Sequence, residues 1–168
     1  MANMFGYDVS HHQMDVGFDP AKVQSDFVIV KATEGTSFKD QTMKFGLQQA
    51  TSVGKLIGVY HFANGKSSGT AEADFFLSVV SPYIGKALLV LDWEANALAK
   101  GPSYAMAFAD RVYEKTGIKV ITYGSTTNMP GDWTAYGKKY PNFWGARYGS
   151  NQSRQGYAND IPYEHVFS

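Results

Sequence analysis

Short apolar runs alternate with amphipathic stretches along the whole chain. Runs rich in β-branched and aromatic residues predict strands at 4–10, 26–33, 55–63, 87–93, 119–125 and 142–150, with 163–168 as a candidate for one more. Stretches with apolar residues at helical spacing predict helices at 41–54, 69–85 and 101–117. Because strands alternate with helices and the linkers are short, the pattern indicates βα units that build a parallel sheet.

Four predicted strands, near residues 28, 57, 89 and 120, are apolar almost throughout. Strands of this kind are covered on both faces, as in a βα barrel or a doubly wound sheet. None is followed by a glycine-rich phosphate-binding motif, so nucleotide binding has no support. We therefore predict an α/β barrel, although 168 residues is short against the ~250 typical of that fold.

The bulk composition narrows the class of protein. A chain of 168 residues and 18.5 kDa is expected to form one domain. Its 15 basic and 15 acidic residues cancel, which gives no electrostatic basis for binding nucleic acid or an anionic membrane. It has no cysteine, and hence no disulfide framework. No signal peptide or membrane span is recognisable, so we expect synthesis in the cytoplasm without an export signal.

The run LLVLDWEAN, residues 88–96, ends an apolar strand with two carboxylates. Side chains at i and i+2 of a strand share a face, with Cα atoms roughly 6.5 Å apart, so Asp92 and Glu94 are expected to face one pocket. Asp8, at the end of the first strand, joins them if the barrel closes. Neighbouring carboxylates push their pKa values apart, so one can act as a general acid while another stays ionised. A glycosidase needs this division of roles.

Other strand ends carry polar and aromatic residues, at the end where a parallel barrel collects its functional groups. They are Ser10, Lys31, Glu34, Tyr60, His61, Phe62, Tyr123, Ser125, Trp144, Arg147 and Tyr148. Aromatic rings beside acids suit sugars, whose CH faces are apolar. Simpler interpretations compete, since two acids after a strand often cap a helix or lie in solvent, and single rings more often fill a core.

Two other kinds of chemistry lack support. His11 and His12 are adjacent on a segment expected to be extended, where their side chains diverge, and no HxxxH or HExxH spacing occurs. We therefore predict no metal or other cofactor. Ser10 and Ser125 lack the GxSxG elbow of a serine nucleophile.

Six segments stand in a recognisable order: YDVSHHQ (7–13), VIVKATEGTSFKD (28–40), GVYHFA (58–63), VLDWE (90–94), TYGS (122–125) and FWGARYGS (143–150). Together they resemble glycoside hydrolase family 25, the lysozymes that include many phage endolysins. The resemblance implies an irregular TIM-like (β/α) barrel with fewer helices than strands. It also implies hydrolysis of the β-1,4 bond between N-acetylmuramic acid and N-acetylglucosamine in peptidoglycan, in phage host lysis or bacterial cell-wall breakdown.

The resemblance also implies roles for individual residues. Glu94 matches the family's general acid, Asp92 its partner in the DxE motif, and Asp8 the acid of the first-strand DxS motif. The sequence leaves open whether Asp92 attacks the sugar or orients the substrate's own 2-acetamido group, and we favour the second, substrate-assisted course. The predicted substrate-binding residues are Glu34, Tyr60, Tyr123, Trp144 and Tyr148.

The chain departs from the family pattern at its end, where a closing strand with a further acid is expected. Asp160 lies in a polar loop and does not match that acid. We therefore expect one glycosidase domain over residues 1–168 with an incomplete C-terminal part of the barrel, whose unpaired sheet edges favour self-association.

Three functions remain open at this point. An active muramidase is favoured, and it would act on the bacterial wall after release from the cytoplasm. The alternative is a cell-wall carbohydrate-binding protein without activity, because the last strand and its acid are absent. A barrel enzyme acting on soluble sugars is a more distant third.

Overall fold

The computed structural model describes residues 4–125 and 131–146, where strands and helices alternate as the sequence predicts. The strands are β1 (Gly6–Val9), β2 (Phe27–Glu34), β3 (Phe38–Lys39), β4 (Leu56–Phe62), β5 (Leu88–Asp92), β6 (Ile121–Ser125) and β7 (Phe143–Ala146). The α-helices are α1 (His11–Met14), α2 (Met43–Ser52), α3 (Gly69–Val80), α4 (Gly101–Thr116) and α5 (Thr134–Lys139). Short 3₁₀ segments occur at Pro20–Lys22, Ser81–Tyr83 and Ala95–Lys100.

One parallel sheet organises the described residues, in the strand order β1-β2-β4-β5-β6-β7. The short strand β3 pairs antiparallel with β2. The sheet curls as a half-barrel, with β1 and β7 at its two edges within the part of the chain that the structure describes. The predicted α/β barrel type with fewer helices than strands is confirmed. All carboxyl ends of the parallel strands therefore lie at the same rim.

The sheet is buried on both faces, as the continuous apolar strands predict. On β2, Val28 and Val30 belong to the larger core between the sheet and the helices. Phe27 and Ile29 alternate with them and point to the concave face, where they cluster with Val90 of β5. This smaller cluster extends to partly buried rings at the carboxyl ends of the strands, namely Tyr60, Tyr123 and Trp144.

Local sequence signals set where the longer helices begin and end. The side chain of Ser68 accepts a hydrogen bond from the first turn of α3. Pro102 lies in the first turn of α4, where its missing N–H costs nothing. Gly117 ends α4 with a φ of 71°, in the left-handed region that favours glycine, and its N–H bonds back to the helix.

The structure differs from the predicted elements in a few places. The helix predicted over 69–85 ends at Val80, and Pro82, which has no N–H to donate, lies in the 3₁₀ turn that follows. The sequence did not predict β3, α1 or α5, which are too short for a periodic pattern. The strand predicted over 163–168 lies outside the described residues. No helix in the described ranges is long and apolar enough to span a bilayer.

Candidate active site

The carboxyl ends of the parallel strands open onto one cleft of about 360 Å³. Acids, aromatic rings and a few other side chains line it: Asp8, Ser10, His12, Lys31, Glu34, Tyr60, Phe62, Val90, Asp92, Glu94, Tyr123 and Trp144. This set includes every predicted catalytic and substrate-binding residue in the described ranges, whereas His61 and Ser125, also named at strand ends, do not line the cleft. Tyr148, the remaining one, lies outside them, as does Arg147. The parallel topology thus brings together side chains from six strands.

The alternation of β5 explains the order of residues in its DWE segment. Asp92 and Glu94 face the cleft. Trp93, between them, is fully buried on the opposite side in the main core. Its ring packs edge to face with that of Trp133, with centroids 4.6 Å apart and planes at 67°. The indole therefore anchors the segment that presents the two carboxyl groups.

The chain turns sharply directly after Glu94. Ala95 has a φ of 49°, a conformation that costs an L-residue with a Cβ roughly 1–2 kcal/mol. It begins the 3₁₀ segment Ala95–Lys100, in which the N–H of Ala97 donates to the carbonyl of Glu94 at 3.1 Å. This tight turn sets the direction in which the main chain leaves Glu94.

The Asp92 carboxyl group is the most strongly perturbed acid of the cleft. Its residue is 9% exposed, and burial, followed by the negative charges of Glu94 and Asp8, raises its pKa to about 8. The positive charge of Lys31 acts in the opposite direction. Oδ1 of Asp92 is buried without a hydrogen-bond partner among the described residues. Asp92 therefore holds a proton at neutral pH and has polar capacity left for a ligand.

The two other acids of the cluster also have raised pKa values. Burial, and then the charge of Asp8, raises the pKa of the half-buried Glu94 above its ordinary value. Partial desolvation by the cleft walls raises the pKa of Asp8, although this residue is open to solvent on one side. The site thus favours protonated carboxyl groups, which suits a group that donates a proton near neutral pH.

A β-bulge near the end of β2 places a pair of opposite charges in the same cleft. The β2–β4 ladder shifts register between Lys31 and Thr33, which leaves Ala32 as the extra residue. Lys31 Nζ donates to Glu34 Oε2 at 2.8 Å. In a regular strand, residues i and i+3 point to opposite faces. Lys31 and Glu34 share the cleft because the bulge changes that alternation.

Aromatic rings stand at both ends of the cleft. Tyr123 of β6 and Trp144 of β7 pack edge to face, with centroids 4.9 Å apart. At the other end, Lys31 Nζ lies 4.9 Å from the ring centroid of Phe62 and 5.3 Å from that of Phe38. The acids are thus flanked by aromatic rings. A polar substrate that has apolar faces can stack on these rings.

His11 and His12 do not diverge as expected, because they begin helix α1 instead of continuing a strand. Their ring centroids lie 4.0 Å apart, and His11 Nδ1 lies 2.9 Å from Asp40 Oδ2. Ser10 caps α1, with its side-chain oxygen accepting the N–H of His12 at 3.3 Å. Across the ranges 4–125 and 131–146, no group of three or more His, Cys, Asp or Glu side chains is placed to hold a metal ion.

The amino-acid pattern does not reveal how the end of β2 is built. It indicates Lys31 only as a strand-end residue, and it does not predict the bulge or the buried polar side chains behind it. The one available signal was the pair of opposite charges in KATE, at Lys31 and Glu34. The bulge itself cannot be recognised in the sequence of β2, because it depends on how β2 pairs with β4.

Comparison with known proteins places this cleft among glycosidases. The family model described as Glycosyl hydrolases family 25 matches residues 7–164. The chain is 34% identical over 161 residues to Lysozyme M1 of Streptomyces globisporus, an alignment that covers 86% of this chain and 54% of that protein. The chain spans between 54% and 64% of the length of three curated relatives that it matches.

Solved structures share the fold. The bacterial lysozyme from Streptomyces coelicolor superposes with a TM-score of 0.71 at 28% identity, covering 90% of this chain and 77% of that one. The multimodular pneumococcal cell wall endolysin from phage Cp-1 superposes with a TM-score of 0.68 at 25% identity. That second match covers 88% of this chain and 44% of the endolysin.

Proposed function

The chain belongs to glycosyl hydrolase family 25, and from this premise we propose that it is a lysozyme. As an N-acetylmuramidase, it hydrolyses the β-1,4 bond between N-acetylmuramic acid and N-acetylglucosamine in peptidoglycan. The observation that carries the proposal is the convergence of Asp8, Asp92 and Glu94 on one cleft with aromatic walls.

Glu94 is the general acid in this proposal. It lies half-buried at the cleft, and its raised pKa keeps a proton available closer to neutral pH. The carboxyl group donates this proton to the glycosidic oxygen while the C–O bond breaks and the anomeric carbon gains positive charge. The resulting carboxylate then accepts a proton from the water molecule that completes hydrolysis.

Asp92 orients the 2-acetamido group of the substrate. The carbonyl oxygen of that group attacks the anomeric carbon and forms a cyclic oxazolinium ion, and the unpartnered Oδ1 of Asp92 offers an acceptor for its N–H. Positive charge developing beside Asp92 lowers its pKa from about 8, so the carboxyl group releases its proton to solvent water in the cleft and is ionised during the reaction. The alternative is direct attack by Asp92, and a glycosyl group trapped covalently on Asp92 would distinguish the two courses.

The remaining lining residues bind the glycan strand. Tyr60, Tyr123 and Trp144 offer rings to the apolar faces of the sugars, and Glu34 offers a carboxylate oxygen to hydroxyl groups. Tyr148 stays a predicted member of this set. Asp8 adds the negative charge that helps to raise the pKa values of Asp92 and Glu94.

Digestion of purified peptidoglycan tests the proposal. The fragments are reduced with borohydride and analysed by mass spectrometry, and we expect new muramitol ends that increase with time. Wall binding without new reducing ends would instead support the carbohydrate-binding alternative, which the set of perturbed acids disfavours. Turnover of small soluble glycosides without any action on walls would also contradict the proposal.

The biological setting extends the proposal beyond the site. We propose synthesis in the cytoplasm and action on the bacterial wall after release, as in phage lysis, with peptidoglycan glycan strands as the partner and with no role for nucleic acid or membrane insertion. One glycosidase domain over residues 1–168 and self-association through the edges β1 and β7 also stay predictions. Gel filtration of the purified chain tests the last of them.

A further inference from the structure

The bulge in β2 is held from the side of the sheet opposite the cleft. Thr33 Oγ1 lies 2.8 Å from Nδ1 of His61 on β4. Nε2 of the same imidazole lies 2.8 Å from Oε2 of Glu72 on α3. The three side chains form a hydrogen-bonded chain that joins β2, next to the bulge, to β4 and to helix α3. The N–H of Asn64 also reaches Glu72 Oε2, at 3.3 Å.

This hydrogen-bonded chain is completely buried. Thr33, His61 and Glu72 are each 0% exposed. The His61 ring stacks on Phe108 of α4, with centroids 5.0 Å apart and planes at 28°. Glu72 Oε1 has no hydrogen-bond partner among the described residues, but Thr33 Oγ1, both ring nitrogens of His61 and Glu72 Oε2 are paired. Buried polar atoms paired in this way favour one arrangement, because an alternative leaves a donor or an acceptor unpaired. This hydrogen-bonded network therefore favours the observed register of β2 over registers shifted by one residue.

The protonation states fix which atom donates in each bond. Burial lowers the pKa of His61, so the ring is neutral at pH 7. Burial alone would raise the pKa of Glu72, but the hydrogen bond from His61 holds it below the ordinary value. Nε2–H of His61 therefore donates to the Glu72 carboxylate, and Nδ1 accepts the hydroxyl proton of Thr33. The Thr33 hydroxyl is thus needed as a donor.

We propose that Thr33, His61 and Glu72 act as positioning residues that hold the Ala32 bulge and thereby keep the Lys31–Glu34 ion pair in the cleft. Thr33 follows Ala32 directly and precedes Glu34, so fixing its side chain in the core directs the next side chain to the opposite face. A slip of one residue would turn Glu34 toward the core. This inference rests on the proposed function, since the cleft is taken as the glycan site.

Thr33→Val tests the inference, because it keeps the shape of the side chain and removes the donor. We expect KM for soluble peptidoglycan fragments to rise about 3- to 10-fold, the loss that one hydrogen bond represents, while kcat changes less than about twofold. Thr33→Ser restores the hydroxyl and is expected to restore KM. Val28→Ala is the matched control, since it removes buried methyl groups at the far end of the same strand and leaves KM unchanged.

A double-mutant cycle separates positioning from general destabilisation. In a Glu34→Gln background the ion pair is already weakened, so we expect Thr33→Val to raise KM less than about twofold further. Full additivity of the two changes would overturn the proposal. Glu72→Gln provides a second variant if Thr33→Val does not fold. It keeps the length of the side chain but weakens the bond to His61, and we expect a smaller rise in KM.

One measurement does not depend on activity. The ¹⁵N signal of the Lys31 ammonium group reports the ion pair directly, and we expect Thr33→Val to shift it toward its position in Glu34→Gln. A folded Thr33→Val protein with an unmoved Lys31 signal or an unmoved KM overturns the inference. Absence of any muramidase activity in the wild-type chain would refute the proposed function. The Lys31 signal would still show whether Thr33 keeps the bulge, and with it the ion pair, in place.

Discussion

The ends of β2 and β5 deliver charged side chains to the same cleft in opposite ways. At β5, regular alternation brings two acids to one face, and neither forms an ion pair with another residue that the structure describes. At β2, a bulge brings Lys31 and Glu34 to one face, where they neutralise each other at 2.8 Å. The regular end of β5 therefore carries the acids with raised pKa values, and the bulged end of β2 carries the ion pair.

The two strand ends are suited to different tasks, one to reaction and the other to binding. Burial together with neighbouring negative charge raises the pKa of a carboxyl group and leaves a proton ready for transfer, as at Asp92 and Glu94. An ion pair of opposite charges presents fixed polar atoms to a ligand. The β5 end is thus suited to chemistry, and the β2 end to holding the substrate.

Glu94→Gln breaks the β5 side of the comparison and has the largest expected effect. Removal of the proton donor should lower kcat on peptidoglycan about 10³-fold, within the range that general acid catalysis contributes. Release of reducing ends measures the rate, and thermal unfolding checks that the fold is intact. Glu114→Gln, on the exposed face of α4, is the matched control and should keep the wild-type rate. A Glu94→Gln rate within tenfold of wild type would contradict the assignment.

Asp92→Asn tests two effects of the Asp92 carboxyl group, one on the reaction rate and one on the stability of the fold. We expect kcat to fall about 100-fold, the scale of losing one group that stabilises the transition state. The folded pKa of about 8 lies above the unfolded value, so the folded state binds more protons and wild-type stability falls as pH rises to about 8.

The Asn variant lacks this decline. Its advantage in urea unfolding should therefore grow between pH 5 and pH 8 and exceed about 1.4 kcal/mol at pH 9, the equivalent of a tenfold change in proton binding. Asp74→Asn serves as the control and should show no such growth, because the hydrogen bond from Arg111 holds the pKa of Asp74 below its ordinary value and thus below this pH range. An advantage that stays constant with pH would mean that Asp92 titrates normally in the folded protein.

Lys31→Met breaks the β2 side and has the smallest expected effect of the three. It leaves Glu34 unpaired and should raise KM about fivefold, because partial exposure of Glu34 limits the value of the ion pair. Loss of the Lys31 charge also raises the pKa of Asp92 further, so the limb of the pH–rate profile that Asp92 controls should move to higher pH. Lys31→Arg keeps the charge and should leave that limb in place. An unmoved limb in Lys31→Met would contradict the electrostatic role.

The sequence predicted the β5 end well and the β2 end poorly, for a physical reason. The positions of Asp92 and Glu94 follow from a period of two along a single strand, and the burial of Trp93 follows from the same period. The position of Glu34 at the cleft was predicted from its place at a strand end and implied by the family resemblance, but neither predicted the bulge that puts it there. That bulge depends on pairing with β4 and on the buried partner Glu72 in α3, both distant in sequence.

The same contrast holds for the smaller elements. Helices α2, α3 and α4 are long enough for apolar periodicity to reveal them, although the second predicted helical stretch, 69–85, ends early, before Pro82. Helix α1 has four residues and rests on the capping box of Ser10 and Gln13, which the periodic pattern does not detect. His11 and His12 were therefore placed wrongly, because the start of α1 turns them toward each other.

The burial of Trp93 against Trp133 gives the protein an optical property. The chain contains three tryptophans, and two of them form this pair while Trp144 lines the cleft. Fluorescence from this pair, in which Trp93 is fully buried and Trp133 partly buried, reports the integrity of the core behind the acids, whereas quenching of Trp144 reports occupancy of the cleft. Trp144→Phe and Trp133→Phe variants would separate the two emissions, so that ligand binding and unfolding can be followed in a single unlabelled sample.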